Sequence, residues 1–577
     1  KSFFSQQLLT LDTPSLSPQE DQIIVEHTNI NPNKAAHIGH LRNAVLGDTL
    51  VRVLRGLGHR VEVQNYIDDT GVQVADVVVA LTEMERLSED QISRLLAVGA
   101  ERLAAAGHGV DHDLWDLYAK VTTWYEYDAS RLAHRGRVLH ALERREGPLA
   151  ELGARLAAEV VRCHLSTMQR LGVHYELLPK ESDILAHRFW DTAFARLRES
   201  GAIRLVDEGK AAGCWVMNLP HDEQADDSLQ YEKIIVRSDA TVTYVGKDIA
   251  YQLWKFGLLA ADFEYRPLTG FAYESAEPVW ETARPGEGSS PTPAFGRGEC
   301  VYNVIDVRQS YLQRVVRQSL ELLGHTAQAE RSVHFSYEMV ALSPQTALEL
   351  QPGLELSDEE RSRPWLDMSG RKGLGVKADD LIDRLATKAL DEIRERNPQL
   401  DAPAQEALAR QVAVGALRYY MLRFTRNKIV AFDIDAALAF EGETGPYCQY
   451  AAVRVARIVD KLHERLGWGV GEVHQRALGA RFEAIPDQIA VDHWRLVHQA
   501  ARLPEVARVA IESLELATLA KYAFELAQAI NGFYHRFPVL QERDGALRDA
   551  RLAVLLVADR SLRQALDLMG IEVPERM

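Results

Sequence analysis

Apolar positions along the first part of the chain change period twice. "IIVEH" (Ile23–His27) is an apolar run of strand length, and from Leu41 the residues Leu41, Val45, Leu46, Leu50, Val53, Leu54 and Leu57 recur at helical spacing until Gly56 and Gly58 end the pattern. "RVEVQNYI" then alternates like a second strand. This order predicts a βαβ unit whose first turn carries "NPNKAAHIGHLRN", Asn31 to Asn43. From about Leu81 to Arg204 the text is mainly helical, with amphipathic segments such as "HRFWDTAFARLRESGAI". "KAAGCWVMNL" and "EKIIVRSDATVTYVG" return to strand character, "KDIAYQLWKFGLLA" reads as a helix and "CVYNVIDV" as a buried strand, so a parallel sheet is expected to resume after the helical insertion. "RPLTGFAYESAEPVWETARPGEGSSPTPAFGRGE" is rich in Pro and Gly and predicts a surface loop. From Ala402 onward the text is almost entirely helical. The expected organisation is an extension at 1–22, an α/β unit at 23–400 with a helical insertion at about 81–204 and a loop at about 266–299, and an all-α unit at 401–577.

Composition narrows this little. The 577 residues exceed what one hydrophobic core usually supports, and 46% hydrophobic with 26% charged residues is ordinary globular composition, so two or three domains are expected. No apolar run approaches the roughly 18 residues of a membrane span, and the N-terminus lacks a secretory pattern. A cytoplasmic protein without membrane contact is expected. Cys163, Cys214, Cys300 and Cys448 lie far apart with no CxxC, which suggests neither a zinc site nor a disulfide framework; no metal ligands are assigned. The formal charge of -17 argues against a general nucleic-acid coat, yet a local basic stripe can serve that purpose inside an acidic total.

The turn at Asn31–Asn43 is the richest in chemistry. It holds His37 and His40 across Ile-Gly, with Lys34 three residues ahead, and no Ser, Cys or acid among them. A turn entering a helix offers free N–H groups and a positive dipole end, where a phosphate chain settles. Nucleotidyl transfer asks the protein mainly for positioning and charge stabilisation. An attacking carboxylate is already ionised at neutral pH and needs no general base. The missing nucleophile and base therefore fit an adenylation site. Helix capping or core packing of the two imidazoles is the plainer alternative, and HxGH also occurs in small nucleotidyltransferases.

These residues and several further stretches resemble the class I aminoacyl-tRNA synthetases, and among them the arginyl-tRNA synthetase family. "HIGH" (His37–His40) matches the class signature for ATP. "RSDATVTYVGKDIAY" (Arg237–Tyr251), "VIDVRQ" (Val304–Gln309), "GALRYYMLR" (Gly415–Arg423), "FEGETGPYCQYA" (Phe440–Ala451) and "ALDLMGIEVPERM" (Ala565–Met577) resemble stretches particular to that family, in the same order. The resemblance implies a Rossmann-type parallel-sheet catalytic domain with helical insertions, followed by an all-α anticodon-binding domain. It also implies ATP as a substrate accompanied by Mg²⁺, with L-arginine and its tRNA as partners; a monomer is expected.

Two departures from the family pattern stand out. The second class motif appears as "DMSGRKG" (Asp367–Gly373), with Gly370 where many members have a lysine. Members lacking that lysine tend to carry another shortly before the first histidine, and Lys34 occupies that place. The resemblance thus implies that Lys34, His37, Gly39 and His40 act on ATP together with Met368 and Ser369, and that Arg371 and Lys372 assist catalysis. A solvated turn lysine is the alternative for Lys34. Secondly, only about twenty residues precede the first strand, so the additional N-terminal domain that touches the tRNA elbow in many relatives is either absent or outside this chain; the extension at 1–22 is read as its remnant.

A guanidinium presents a planar fork of donors and calls for carboxylates placed for bidentate contact. The resemblance places Glu26, Tyr244 and Asp248 near the side chain of arginine, and Asn31, His37 and Gln309 near its α-amino and carboxylate end. Asp248 could equally be a helix N-cap. Glu26, flanked by apolar residues on a strand, needs a partner if buried, and a bound arginine would supply one. For RNA, "ALRYYMLRFTRNK" interleaves Arg418, Arg423, Arg426 and Lys428 with aromatic residues, as stacking on unpaired bases requires, although Leu417, Met421 and Phe424 have the spacing of a core. The tRNA-binding residues implied are Arg418, Arg423, Arg426, Tyr447 and Met577. The activity expected is that of an arginine-tRNA ligase. The alternatives are another class I synthetase, such as a cysteine or glutamate enzyme, and a catalytically silent paralogue that binds RNA.

Overall fold

The computed structural model describes residues 21–577 apart from 219–231, 240, 274–276, 292 and 367–374. Strand β1 (Gln22–Glu26) leads through the Asn31–Ala36 turn into helix α1 (Ile38–Gly56), and β2 (Arg60–Gln64) follows. Helices including α2 (Val110–Tyr127) fill the next segment before β3 (Leu177–Leu178). Then come β4 (Ile203–Leu205), β5 (Trp215–Asn218), β6 (Glu232–Val236), helix α3 (Tyr244–Lys255), β7 (Glu264–Pro267), β8 (Trp280–Ala283), β9 (Cys300–Asp306), β10 (Ser332–Tyr337) and β11 (Val340–Leu342). The helices α4 (Ala378–Arg396) and α5 (Ala402–Leu422), strand β12 (Val430–Phe432) and further helices ending in α6 (Gly545–Leu568) complete the chain.

The main sheet has the order β10-β9-β1-β2-β3-β8-β7, parallel except for β7. β1 and β2 are buried along nearly their whole length, as central strands covered on both faces should be. The alternation read in "RVEVQ" is therefore not a wet and a dry face: Glu62 and Gln64 are buried too, bonded to each other, and Glu62 also accepts from Gly296 N.

Three expectations change. β4, β5 and β6 do not rejoin the parallel sheet; they form a separate antiparallel sheet, because each finds its ladder in its sequence neighbour. The Pro- and Gly-rich text from Arg266 holds the end of β7 and the whole of β8 rather than only a loop. β7 closes the edge of the sheet, where Pro267 costs no ladder bond. β3, inside the segment read as a helical insertion, belongs to the central sheet.

The helical C-terminal half does not stand apart. One continuous core runs from Ile23 and Val25 through α1 and α5 to Leu566 and Ile571, and β12 pairs in parallel with β11. Two fully buried arginines stitch the halves together. Arg42 of α1 donates to the carbonyls of Glu338 and Lys428, the latter at 2.9 Å. Arg418 of α5 donates to the carbonyls of Met569 (2.6 Å) and Leu171 (2.9 Å) and pairs with Asp48 of α1, which also holds Arg52 at 2.7 Å. Gly47, beside Asp48, is required by close approach, since a Cβ there would lie 2.3 Å from the His27 ring. No helix among the described residues is long and apolar enough to cross a membrane.

Removing one partner of a buried pair strands the other charge, at a cost of about 3–5 kcal/mol. Asp48→Ala should lower stability to urea by that amount, and unfolding should stay a single transition because both halves share one core. A loss below about 1 kcal/mol, or two separated transitions, would refute this account of the pair.

Candidate active site

Strand order reverses between β1 and β9, and the crevice beyond the carboxyl ends of strands at such a switch point is where ligands bind in doubly wound sheets. A cleft of about 900 Å³ opens there. Glu26 and Asn303, paired across β1 and β9, reach it from the sheet, while the turn at Asn31–His40, α3 and residues 306–309 form its walls.

The first wall is set by capping. His37 is the N-cap of α1, and its Nδ1 accepts from Gly39 N at 3.1 Å. His40 Nδ1 accepts in return from His37 N at 3.1 Å, and the two rings stack with centroids 3.6 Å apart. Because each Nδ1 accepts, each ring carries its proton on Nε2, so the pair offers two neutral N–H donors at the positive end of a helix of 19 residues. Burial and the Lys34 charge push the His37 imidazole down to about 4, and burial with the neighbouring His37 pushes His40 well below its usual value; neither is cationic at neutral pH. Capping, the plain alternative for these histidines, is thus also what aims them.

Lys34 adds the charge. Its ammonium lies 3.9 Å from the Trp115 ring centroid and 5.6 Å from that of Tyr118, both on α2, and burial pushes it down to about 8. No carboxylate among the described residues forms an ion pair with it. It is not a solvated turn lysine.

The opposite end is crowded with acid. Glu26, Asp68, Glu181 and Asp248 line the cleft together with Lys247 and Lys255. Lys255 is spent on Glu26 and on Asn303 (2.8 Å), and Lys247 on Glu181 (2.5 Å), which also takes the Tyr66 hydroxyl at 3.0 Å. The expectation that a bound arginine would be the partner of Glu26 is corrected: Lys255 already fills that role, with Asn29 donating as well. Asp248 is not a cap, since Thr243 precedes the helix and Asp248 lies one turn inside α3. Burial and the nearby Glu181 and Glu26 charges raise its carboxyl well above the usual range, and burial with Glu181 holds Asp68 up at about 7. Four carboxylates against two ammonium groups leave this end short of positive charge, which a cationic ligand would supply.

Tyr244, Gln309 and Asn31 reach the same cleft, Tyr244 one turn before Asp248 and half exposed. Met368, Ser369, Gly370, Arg371 and Lys372 lie outside the described residues. Sequence reasoning missed Lys247, Lys255, Glu181 and Asp68. The available signal was the polar run after β2 and two lysines eight residues apart on the helix that carries Asp248.

The RNA assignments fare unevenly. Arg418 is corrected: fully buried and paired with Asp48, it has no surface to offer. Arg423 is half-buried, donating to Glu443 O and lying over Tyr420 and Phe424 at 4.1 and 4.7 Å. Arg426 donates to Ser336, the Tyr447 hydroxyl accepts from Asn531, and Met577 packs against Leu408 and its neighbours.

Comparison with known proteins agrees with this arrangement. Residues 5–263 match the model of the tRNA synthetases class I (R) catalytic domain, and residues 448–577 that of the DALR anticodon binding domain. The chain is similar to the arginine–tRNA ligases of Thermococcus sibiricus (35% identical, covering 96% of this chain and 81% of that protein) and Deinococcus radiodurans (36%, covering 97% and 84%). Its structure is similar to the arginyl-tRNA synthetase of Thermus thermophilus, with a TM-score of 0.78 at 32% identity, covering 100% of this chain and 86% of the other.

The crowded acid end can be tested without ligand. A carboxyl whose folded-state pKa is raised contributes no penalty while protonated in both states, and costs stability as pH rises and the unfolded chain ionises. Asp248→Asn should therefore stabilise the unliganded protein at pH 7–8 by about 1–4 kcal/mol, the range for replacing buried charge with neutral groups of similar volume, and have little effect near pH 3–4. Equal effects at both pH values in thermal unfolding would refute the electrostatic reading.

Proposed function

The chain belongs to the arginine–tRNA ligase family, and we propose that its cleft joins L-arginine to ATP as arginyl-adenylate and passes the arginyl group to the 3′ end of the cognate tRNA. The observation that carries the reading is the acid end of the cleft facing the histidine turn: a pocket short of two positive charges lies beside a helix terminus prepared for phosphate.

Arginine brings the missing charge. Its guanidinium sits between Asp248 and the Glu26 end of the pocket with Tyr244 at the rim, while Asn31, His37 and Gln309 hold the α-amino and carboxylate groups. The carboxylate is ionised already, so no base is required. One of its oxygens attacks the α-phosphorus of ATP; the bond from that phosphorus to the bridging oxygen breaks, and pyrophosphate leaves. His37 and His40 donate neutral N–H groups to the phosphate oxygens, Gly39 keeps the helix terminus open to them, and Lys34 supplies the positive charge on the growing anion. Met368, Ser369, Arg371 and Lys372 act from the second motif. Mg²⁺ accompanying the nucleotide would neutralise phosphate charge, and the histidine turn itself offers it nitrogen donors rather than carboxylates. A ribose hydroxyl of the tRNA terminus then attacks the adenylate carbonyl and AMP departs. The helical half holds the tRNA, with Arg423, Arg426, Tyr447 and Met577 as contacts. A silent RNA-binding paralogue has no use for a cation pocket opposite a phosphate site.

Arginine alone among the amino acids should support exchange of pyrophosphate into ATP when each is assayed with and without tRNA; exchange with a different amino acid, or with none, overturns the reading. Asp248→Asn should weaken arginine binding by about 2–5 kcal/mol and leave ATP binding unchanged, as calorimetry can show. A parallel loss of both ligands would mark a structural role.

Lys34→Ala should slow adenylate formation by roughly 10² to 10³ with little effect on arginine affinity. Since burial holds Lys34 at about 8 in the free enzyme, kcat/KM for ATP should fall as pH rises through that value, and the fall should vanish in the variant. Wild-type rates in Lys34→Ala would end the proposal.

A further inference from the structure

Helix α2, which supplies the aromatic rings under Lys34, begins with residues that the activity does not use. His108 precedes it and Asp111 and His112 form its first turn, facing Asp379, Asp380 and Asp383 at the start of α4. One donor atom from each of Asp111, His112 and Asp379 lies within 4.8 Å of the others, and His108, His112 and Asp380 form an overlapping, more exposed set.

The buried set is short of positive charge. Asp111 is 1% exposed, and no nitrogen or hydroxyl donor reaches either of its carboxylate oxygens; the weak Cys163 thiol is its hydrogen-bond partner. The polar side chains beside it are Cys163 and His164, and His164 Nε2 is bonded to Lys34 O at 2.7 Å. Asp379 is provided for separately, by Thr167 at 2.7 Å and Arg170 at 2.5 Å. His112 Nε2 lies 3.7 Å from Asp379 Oδ2 and 2.9 Å from His108 Nδ1. An ionised carboxylate buried with only a thiol for a donor is costly unless a cation completes it. Imidazole beside carboxylates selects a borderline transition metal such as Zn²⁺ over Mg²⁺, which prefers six oxygens in octahedral array.

We propose that Asp111, His112 and Asp379 bind one divalent transition-metal ion of the Zn²⁺ type, with His108, itself paired with Asp383, packed beside His112. Thr167 and Arg170 orient the Asp379 carboxylate, as outer-shell partners do. None of the three ligands lines the catalytic cleft, so the ion is a fastener rather than a reagent. What it fastens is specific. Ala35 N donates to Asp111 O at 3.0 Å and Ala378 N donates to Ala36 O at 2.8 Å, so both ligand-bearing helices are bonded to the turn that holds Lys34 and His37.

The test uses the full chain, stripped with EDTA, desalted and titrated with ZnCl₂ alone, with bound metal counted by mass spectrometry and stability followed by thermal unfolding. One Zn²⁺ per chain should bind and raise Tm, while millimolar Mg²⁺ should not. Asp111→Asn and His112→Gln should each weaken Zn²⁺ binding by at least roughly tenfold. In EDTA, Asp111→Asn should be as stable as the wild type or more so, because it removes an uncompensated charge; in Zn²⁺ the order should reverse. If one variant fails to fold, the other carries the comparison. Substoichiometric Zn²⁺, unchanged affinity in a folded variant, an equal response to Mg²⁺, or the same Tm loss in Asp111→Asn with and without Zn²⁺ would each overturn the proposal.

Discussion

The pairing of Arg418 with Asp48 is the constraint on which the rest of the molecule depends. Helix α1 begins at the histidine turn and must be held rigidly if two imidazoles are to meet a phosphate chain. It cannot be held by apolar packing alone, because it passes between the parallel sheet and the helical half and needs fixing along its axis as well as on its face. Arg418 does this from one side and Arg42 from the other, each donating to carbonyls that belong to separate segments. Each guanidinium is fully buried, so loosening any one segment would leave polar groups without partners. The two halves are in that sense a single mechanical object.

The cleft follows from the same logic of unbalanced charge. At one end the protein accumulates carboxylates beyond the lysines that could neutralise them, and at the other it presents an ammonium with aromatic rings for company. Each end is poorly satisfied by itself, and ligands of opposite charge relieve both. Preorganisation of this kind is bought with stability in the empty protein.

How much of this could be read from the residues depended on distance along the chain. The β1–turn–α1 unit was legible because period, glycine stops and the histidine pair lie within some thirty-five consecutive residues. Asp248 was legible through the stretch around it. Lys255 was not, because its partner Glu26 is 229 residues away and a lysine at the end of a helix ordinarily points to water. Arg418 misled for the same reason: among tyrosines on a basic stretch it reads as an RNA contact, and only the approach of Asp48 from 370 residues upstream makes it a core residue. Strand character in "KAAGCWVMNL" and "EKIIVRSDATVTYVG" was plain, but which sheet a strand joins is decided by its neighbours in space. β7 and β8 were hidden in Pro- and Gly-rich text because an edge tolerates residues that a central strand rejects.

The carbonyl of Met569 that receives Arg418 lies 151 residues further along the chain. During synthesis, Asp48 leaves the ribosome long before Arg418, and Arg418 before the carbonyl that completes its shell, an interval of tens of seconds at about 5–20 residues per second. Through that interval the nascent α/β half carries an unmatched acid beneath its principal helix. The histidine turn therefore gains its final rigidity only once the helical half has emerged, so a chain interrupted before that point would lack the clamp on the helix that starts there.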